Sequence, residues 1–203
     1  MFKKLISLLF LVFIVYKIFS FTVYAEESVA SPRKYMGQKW YNTPRNIEFR
    51  CDFPYEEREA VRGAMAKWNS VKTPSGDSMV TMFVTQIGNP GNSITYSSSW
   101  YQWIGYCEKV TTGDQILSVN VKLANEVDWS VGGSPGKYDI QTIVQHELGH
   151  ALGVAHCHES SEGVGPCASA TCLSNVMYPF VETGKVNTTL KEYDTASYIV
   201  IYW

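Results

Sequence analysis

The chain has 203 residues, a formal net charge of −2 and a pI of about 6.1. Its lysines and arginines are scattered and form no stripe, so the basic field that nucleic-acid binding needs is missing. No internal repeat or low-complexity tract stands out, and the length suits one domain with a real core.

Residues 1–25 follow the grammar of a secretory signal peptide: Lys3 and Lys4, an apolar run from Leu5 to Tyr16, then Val23-Tyr24-Ala25 as a cleavage site. Lys17 ends the run short of the roughly 20 apolar residues a membrane span needs, which favours a cleaved signal over an uncleaved anchor. A secreted, extracellular chain with no stable membrane anchor is expected. Residues 26–38 are polar and read as a short mobile segment, and 39–203 as one domain. Ile47, Phe49 and Cys51 alternate with polar neighbours, predicting a strand over 46–51. Pro54 suits a first helical turn and is followed by Glu56, Glu57 and Glu59. Val61, Ala64, Met65 and Trp68 then give an amphipathic helix. A strand is predicted over 79–87, broken by Gly88 to Gly91, with strand and loop around Ile94 to Tyr106. Leu117, Val119, Val121 and Leu123 predict a half-buried strand over 116–123, followed by a loop over 131–136. Asp139 is placed to cap a helix that buries Ile140, Ile143, Val144, Ala151 and Leu152 and stops at Gly153. Residues 157–175 read as loop, and Thr189 with Glu192 as a capping box for a last helix. This order predicts an α+β domain with a twisted sheet.

The five cysteines are Cys51, Cys107, Cys157, Cys167 and Cys172, so at least one lacks an intrachain partner. Export makes disulfides expected: Cys51 with Cys107, and one bridge among the last three. Buried free thiols are the other reading.

Three of the four histidines fall in HELGHALGVAH, residues 146–156. Helical spacing puts His146 and His150 on one face, where they can share a metal. Glu147 sits one position round, beside that metal and unbound to it. Gly153 accepts positive φ and lets the chain turn, bringing back His156 as a third imidazole. Three nitrogens leave a fourth position open, the catalytic pattern for zinc. A zinc-bound water would lose its proton to Glu147 as it attacks a carbonyl carbon, and Glu147 would pass that proton to the leaving amine. With Gly153 and His156 fixed as well, the pattern arises by chance in about one chain of this length in 10⁵, which sets coincidence aside.

HELGHALGVAH resembles the zinc signature H-E-x-x-H-x-x-G-x-x-H of the metzincin metallopeptidases. NVMYP, residues 175–179, is similar to their Met-turn, with Met177 beneath the zinc. Met-Tyr-Pro resembles the matrixin branch, as do DWS at 128–130, YDIQTIVQ before the first histidine, and Leu190 to Asp194. The resemblance is specific over about 119–203 and looser over 40–118. It implies a catalytic domain over 39–203, with a twisted, mostly parallel mixed sheet, three main helices and an active-site helix followed by the Met-turn. It also implies a secreted zinc endopeptidase with one catalytic zinc and a protein or peptide substrate. Tyr178, Pro179, Phe180 and Val181 would then wall the pocket for the side chain after the cut bond. Pro179 stands where astacin-like enzymes carry a tyrosine ligand, so no such ligand is expected.

Some family features are missing. No histidine precedes His146, so the second, structural zinc of vertebrate-type matrixins is not expected. Asp128 and Asp139 offer oxygens, but nothing specifies calcium. No cysteine lies between Ala25 and Lys39 to act as an inhibitory thiol, and no accessory domain is expected after Trp203. Asp194 is a candidate tether in the last helix. His158 competes on paper with His156 but has the wrong spacing. Cys157 is a weaker ligand candidate than a disulfide partner that would brace the ligand loop. Asn187-Thr188-Thr189 is a glycosylation sequon, and a monomer is the default. The main alternative is a secreted binding protein with a metzincin fold and a structural metal. A gluzincin-type site using Glu182 is a further one, against which His156 argues.

Overall fold

The structure, a computed structural model, describes residues 35–99, 103–157 and 170–203. The expected signal peptide, residues 26–34, His158 and Cys167 lie outside the described residues. Five strands form the sheet: β1 (Arg45–Arg50), β2 (Val80–Thr85), β3 (Ser93–Ser97), β4 (Gly105–Thr112) and β5 (Gln115–Ala124). Their spatial order is β2-β1-β3-β5-β4. All neighbours are parallel except β4, which runs antiparallel to β5 at the sheet edge. Two-residue strands β6 (Trp129–Ser130) and β7 (Tyr138–Asp139) pair separately. The main helices are α1 (Tyr55–Asn69), α2 (Ile140–Ala151) and α4 (Glu192–Tyr202), with a short α3 (Ala170–Leu173). This is the α+β, mostly parallel mixed sheet with three main helices expected from the sequence. Among the described residues, no helix is long and apolar enough to cross a membrane.

Helix α1 opens with Glu56 and Glu57 and closes with Lys67, each at the end its charge suits. Its predicted stripe is buried, and the Trp68 indole donates to the Gln145 carbonyl at 2.9 Å, joining α1 to α2. Trp40 is 2% exposed and donates to the Ala151 carbonyl at 2.9 Å, satisfying an end of α2 that the helix itself leaves open.

Several expectations are corrected. The strand over 79–87 is shorter, and the stretch after Ile94 holds two strands. β4 escaped notice because an edge strand with Glu108, Lys109, Thr111 and Thr112 has little apolar alternation. Leu117 does not join the buried face. Val110 pairs with Ser118 and Thr111 with Ile116, so Leu117 is a bulged extra residue, exposed, and Ile116 is buried instead. Near the end of the 26–38 segment, Tyr35 bridges Val154 and the Met36 amide donates to the Gly153 carbonyl at 2.9 Å. The Thr189–Glu192 capping box is not formed. α4 begins at Glu192, and the Asp194 carboxylate accepts from the Lys191 amide at 2.8 Å.

Cys51 and Cys107 are both free. They sit at the end of β1 and on β4, which the sheet order separates by two strands, roughly 14 Å at normal spacing and far beyond disulfide reach. The bridge among the later cysteines joins Cys157 to Cys172.

Candidate metal centre

The Asp139 carboxylate accepts from the Thr142 amide, closing the start of α2, and from the Gly132 amide in the preceding loop, each at 2.8 Å. Both carboxylate oxygens thus hold backbone amides. The helix carries His146 and His150 one turn apart and ends in a paired motif: the Gly153 amide donates to His150 and the Val154 amide to Gly149, both at 2.9 Å. Gly153 has φ of 87°, a conformation a side chain would strain. The reversal returns His156 so that its Nε2 lies 3.1 Å from His146 Nε2 and 3.0 Å from His150 Nε2.

Each helical imidazole is oriented from its far nitrogen. His146 Nδ1 donates to the Val176 carbonyl at 2.8 Å and His150 Nδ1 to the Val154 carbonyl at 2.9 Å, which leaves both Nε2 lone pairs facing the common point. Zinc–nitrogen bonds of about 2.0–2.1 Å at tetrahedral angles need nitrogens about 3.3 Å apart, close to what the three rings provide. Among the described residues, the convergent ligand group is His146, His150 and His156, without Glu182.

Glu147 is buried on the same helix, 6% exposed. Gly105 of β4 makes room for it: a Cβ there would lie 2.6 Å from both Glu147 Oε1 and Ile143 Cγ2. Burial pushes the Glu147 carboxyl up to about 8 and, with the neighbouring His156, pushes His146 down to about 4. Burial, then His146 and His156, takes His150 well below its ordinary value. Burial also raises the Cys107 thiol, with Glu147 adding to the effect.

These shifts make the stability of the chain without metal depend on pH. Glu147 holds its proton more tightly folded than unfolded, so its contribution is full below about pH 4.5 and is lost as pH rises toward 8. His146 is the reverse: stability falls as pH drops from about 6.5 toward 4. Metal-free Glu147→Gln is therefore expected to overtake the metal-free parent as pH rises, by up to about 5 kcal/mol at pH 9. Urea midpoints in chelator at pH 6 and pH 9 check this, and an equal difference at both pH values would overturn it.

Met177 is fully buried against Gly149 of the same helix that carries His146 and His150. A Cβ at Gly149 would run into Met177 Sδ and come within 2.9 Å of Trp68 Cζ2. Gly149→Ala, ordinarily favourable in a helix, is here expected to cost about 1–3 kcal/mol, read as a lower denaturant midpoint at unchanged slope. A higher midpoint would mean the floor can yield.

A cleft of about 550 Å³ opens over these groups. Tyr178, Pro179, Phe180 and Val181 line one side beside Val176, and Phe180 turns much of its ring outward, 59% exposed. The other side is Trp103, Ile104, Gly105 and Tyr106, all at or just before β4. Sequence reasoning missed this wall with the strand that carries it. Gly149 did carry a signal, since a glycine in mid-helix needs a packing reason.

Residues 108–203 match the family model of the matrixins. No curated protein matches the chain. The matched stretch runs from within β4 through all three histidines and Met177 to Trp203, and over these residues the chain is similar to a matrixin, metallopeptidase-type domain.

Proposed function

We propose that this matrixin-like domain is a secreted, zinc-dependent endopeptidase that hydrolyses peptide bonds with Glu147 as general base. The observation that carries the reading is the meeting of three imidazole Nε2 atoms beside a buried carboxylate at the floor of an open cleft. The donor set fits zinc: neutral nitrogen ligands, each helical one held in a single tautomer by a backbone carbonyl. Bound there, zinc would act as a Lewis acid on water and on the scissile carbonyl.

The protein's own residues do the rest. His146, His150 and His156 hold the cation. With a cation held there, the Glu147 carboxyl would be drawn down from the value burial gives it and would stand as a carboxylate able to take a proton from water. Glu147 then returns that proton to the departing amine. The apolar side chains of Tyr178, Pro179, Phe180 and Val181 would receive an apolar side chain after the cut bond. The leader at 1–25 supports secretion, and a soluble monomer acting on protein or peptide, with no nucleic-acid partner, completes the reading.

The test is metal content together with cleavage of a quenched, unstructured protein substrate. About one zinc per chain is expected, with cleavage abolished by a chelator and restored by zinc. A folded chain that binds no zinc, or a zinc-bound chain inert toward a broad set of unstructured substrates, would overturn it, the latter in favour of a binding protein with a structural metal.

A further inference from the structure

Of the three imidazoles, His146 and His150 are fixed by α2, whereas His156 lies beyond the helix on a connecting segment. Upstream of His156, the Gly153–Val154 turn and its contacts with Tyr35 and Met36 hold the backbone. Alongside, the Tyr193 hydroxyl donates to the His156 carbonyl at 3.0 Å. Downstream, the next residue is Cys157: its amide donates to the Met177 carbonyl at 3.0 Å and its sulfur is bonded to Cys172. Cys172 in turn leads into the Met-turn, where the Asn175 side chain donates to the Cys172 carbonyl at 3.3 Å and the Val176 carbonyl orients His146. One covalent bond therefore ties the neighbour of the third imidazole to the segment that aims the first.

We propose that the Cys157–Cys172 disulfide is the clamp that keeps His156 at the metal, so that firm metal retention begins only once this bond has formed. The proposal rests on the zinc reading above. Opening the bond releases a loop with a sequence separation of 15 on the downstream side of His156, and that freedom must be lost again each time His156 binds. Both cysteines are buried, Cys157 7% and Cys172 1% exposed, so the bond once made is shielded from thiols. That makes it a permanent clamp set during maturation, not a reversible switch.

The forming step needs an oxidant, a small organic disulfide. One cysteine thiolate attacks it and expels a thiol. The second cysteine then attacks the mixed disulfide and expels another. The protein gives up two electrons and two protons, and the oxidant becomes two thiols. Chain still in a reducing compartment would hold zinc loosely, which supplies latency without an inhibitory thiol.

The experiment compares zinc release from the oxidised protein, from the same protein reduced in denaturant and refolded with a phosphine reductant, and from Cys157→Ala/Cys172→Ala. Release into excess chromogenic chelator is expected to be at least about tenfold faster for the latter two, as for loss of other supports around a metal ligand. Val61→Ala, which destabilises the core at α1, should leave the release rate near that of the oxidised parent. If either clamp-free form is unfolded without metal, zinc titration of its folding by circular dichroism reads the same affinity loss. Equal rates in oxidised and clamp-free forms, or equal acceleration by Val61→Ala, would overturn the clamp. No zinc binding in the oxidised protein would instead overturn the zinc reading on which it rests.

Discussion

Glu147→Gln is expected to lower cleavage by about 10²–10⁴-fold while the chain still binds one zinc, since general acid–base catalysis contributes on that scale. The amide keeps the shape and hydrogen-bonding capacity of the carboxyl but cannot accept a proton from water. It also fits the space that Gly105 leaves, so no rearrangement of β4 should accompany it. The ligands are untouched, because His146 and His150 are aimed by the Val176 and Val154 carbonyls and not by Glu147. Cleavage of a quenched unstructured substrate beside metal analysis reads both halves. A variant that keeps zinc and also keeps near-parental cleavage would remove Glu147 from the mechanism. The prediction separates the peptidase from a binding protein with a structural metal: in the latter, a buried carboxyl beside the cation has no task and its neutral replacement changes nothing but stability.

How much of this was legible depended on whether a feature is local in sequence. The α2 site is local: Asp139, the two histidines one turn apart and Gly153 all declare themselves within a few turns, and the structure places them as their spacing implies. The Cys157–Cys172 bridge was legible only as one of several pairings. The Cys51–Cys107 expectation failed because strand order is not written in any single segment: two cysteines can follow one another along the chain and still be separated by β3 and β5. Leu117 failed for a related reason: a bulge at this point shifts the register by one residue, so alternation that holds at Val119, Val121 and Leu123 no longer holds beyond it. β4 was the costly omission, because it supplies the Gly105 gap over Glu147 and one wall of the cleft. Its polar composition suits a sheet edge and therefore resembles a loop.

Asp194→Ala is expected to cost about 3–5 kcal/mol of stability, because it strands three backbone donors in the interior. The carboxylate accepts from the Lys191 amide at 2.8 Å, the Val176 amide at 3.0 Å and the Met177 amide at 3.1 Å, and the residue is fully buried. Burial raises its carboxyl above the ordinary range and the three amides oppose that rise, so the charge is held there by the hydrogen bonds. Against a typical total of about 5–15 kcal/mol, such a loss is a large share of the fold. Its second consequence falls on the metal centre. Asp194 holds the Met177 amide, and that same 176–177 peptide presents the Val176 carbonyl that orients His146, so a loosened turn at Met177 loosens the aim of that imidazole. Zinc affinity should fall by about 10–100-fold, the usual scale for losing a support behind a metal ligand. Asp194→Asn keeps the shape and one acceptor but turns an amide donor toward backbone donors, so it should recover only part of the loss. Urea unfolding with saturating zinc and with chelator separates the two effects. An unchanged midpoint in Asp194→Ala would show that the three amides find other acceptors. A lowered midpoint with parental zinc affinity would show that the Met-turn holds its shape without this anchor.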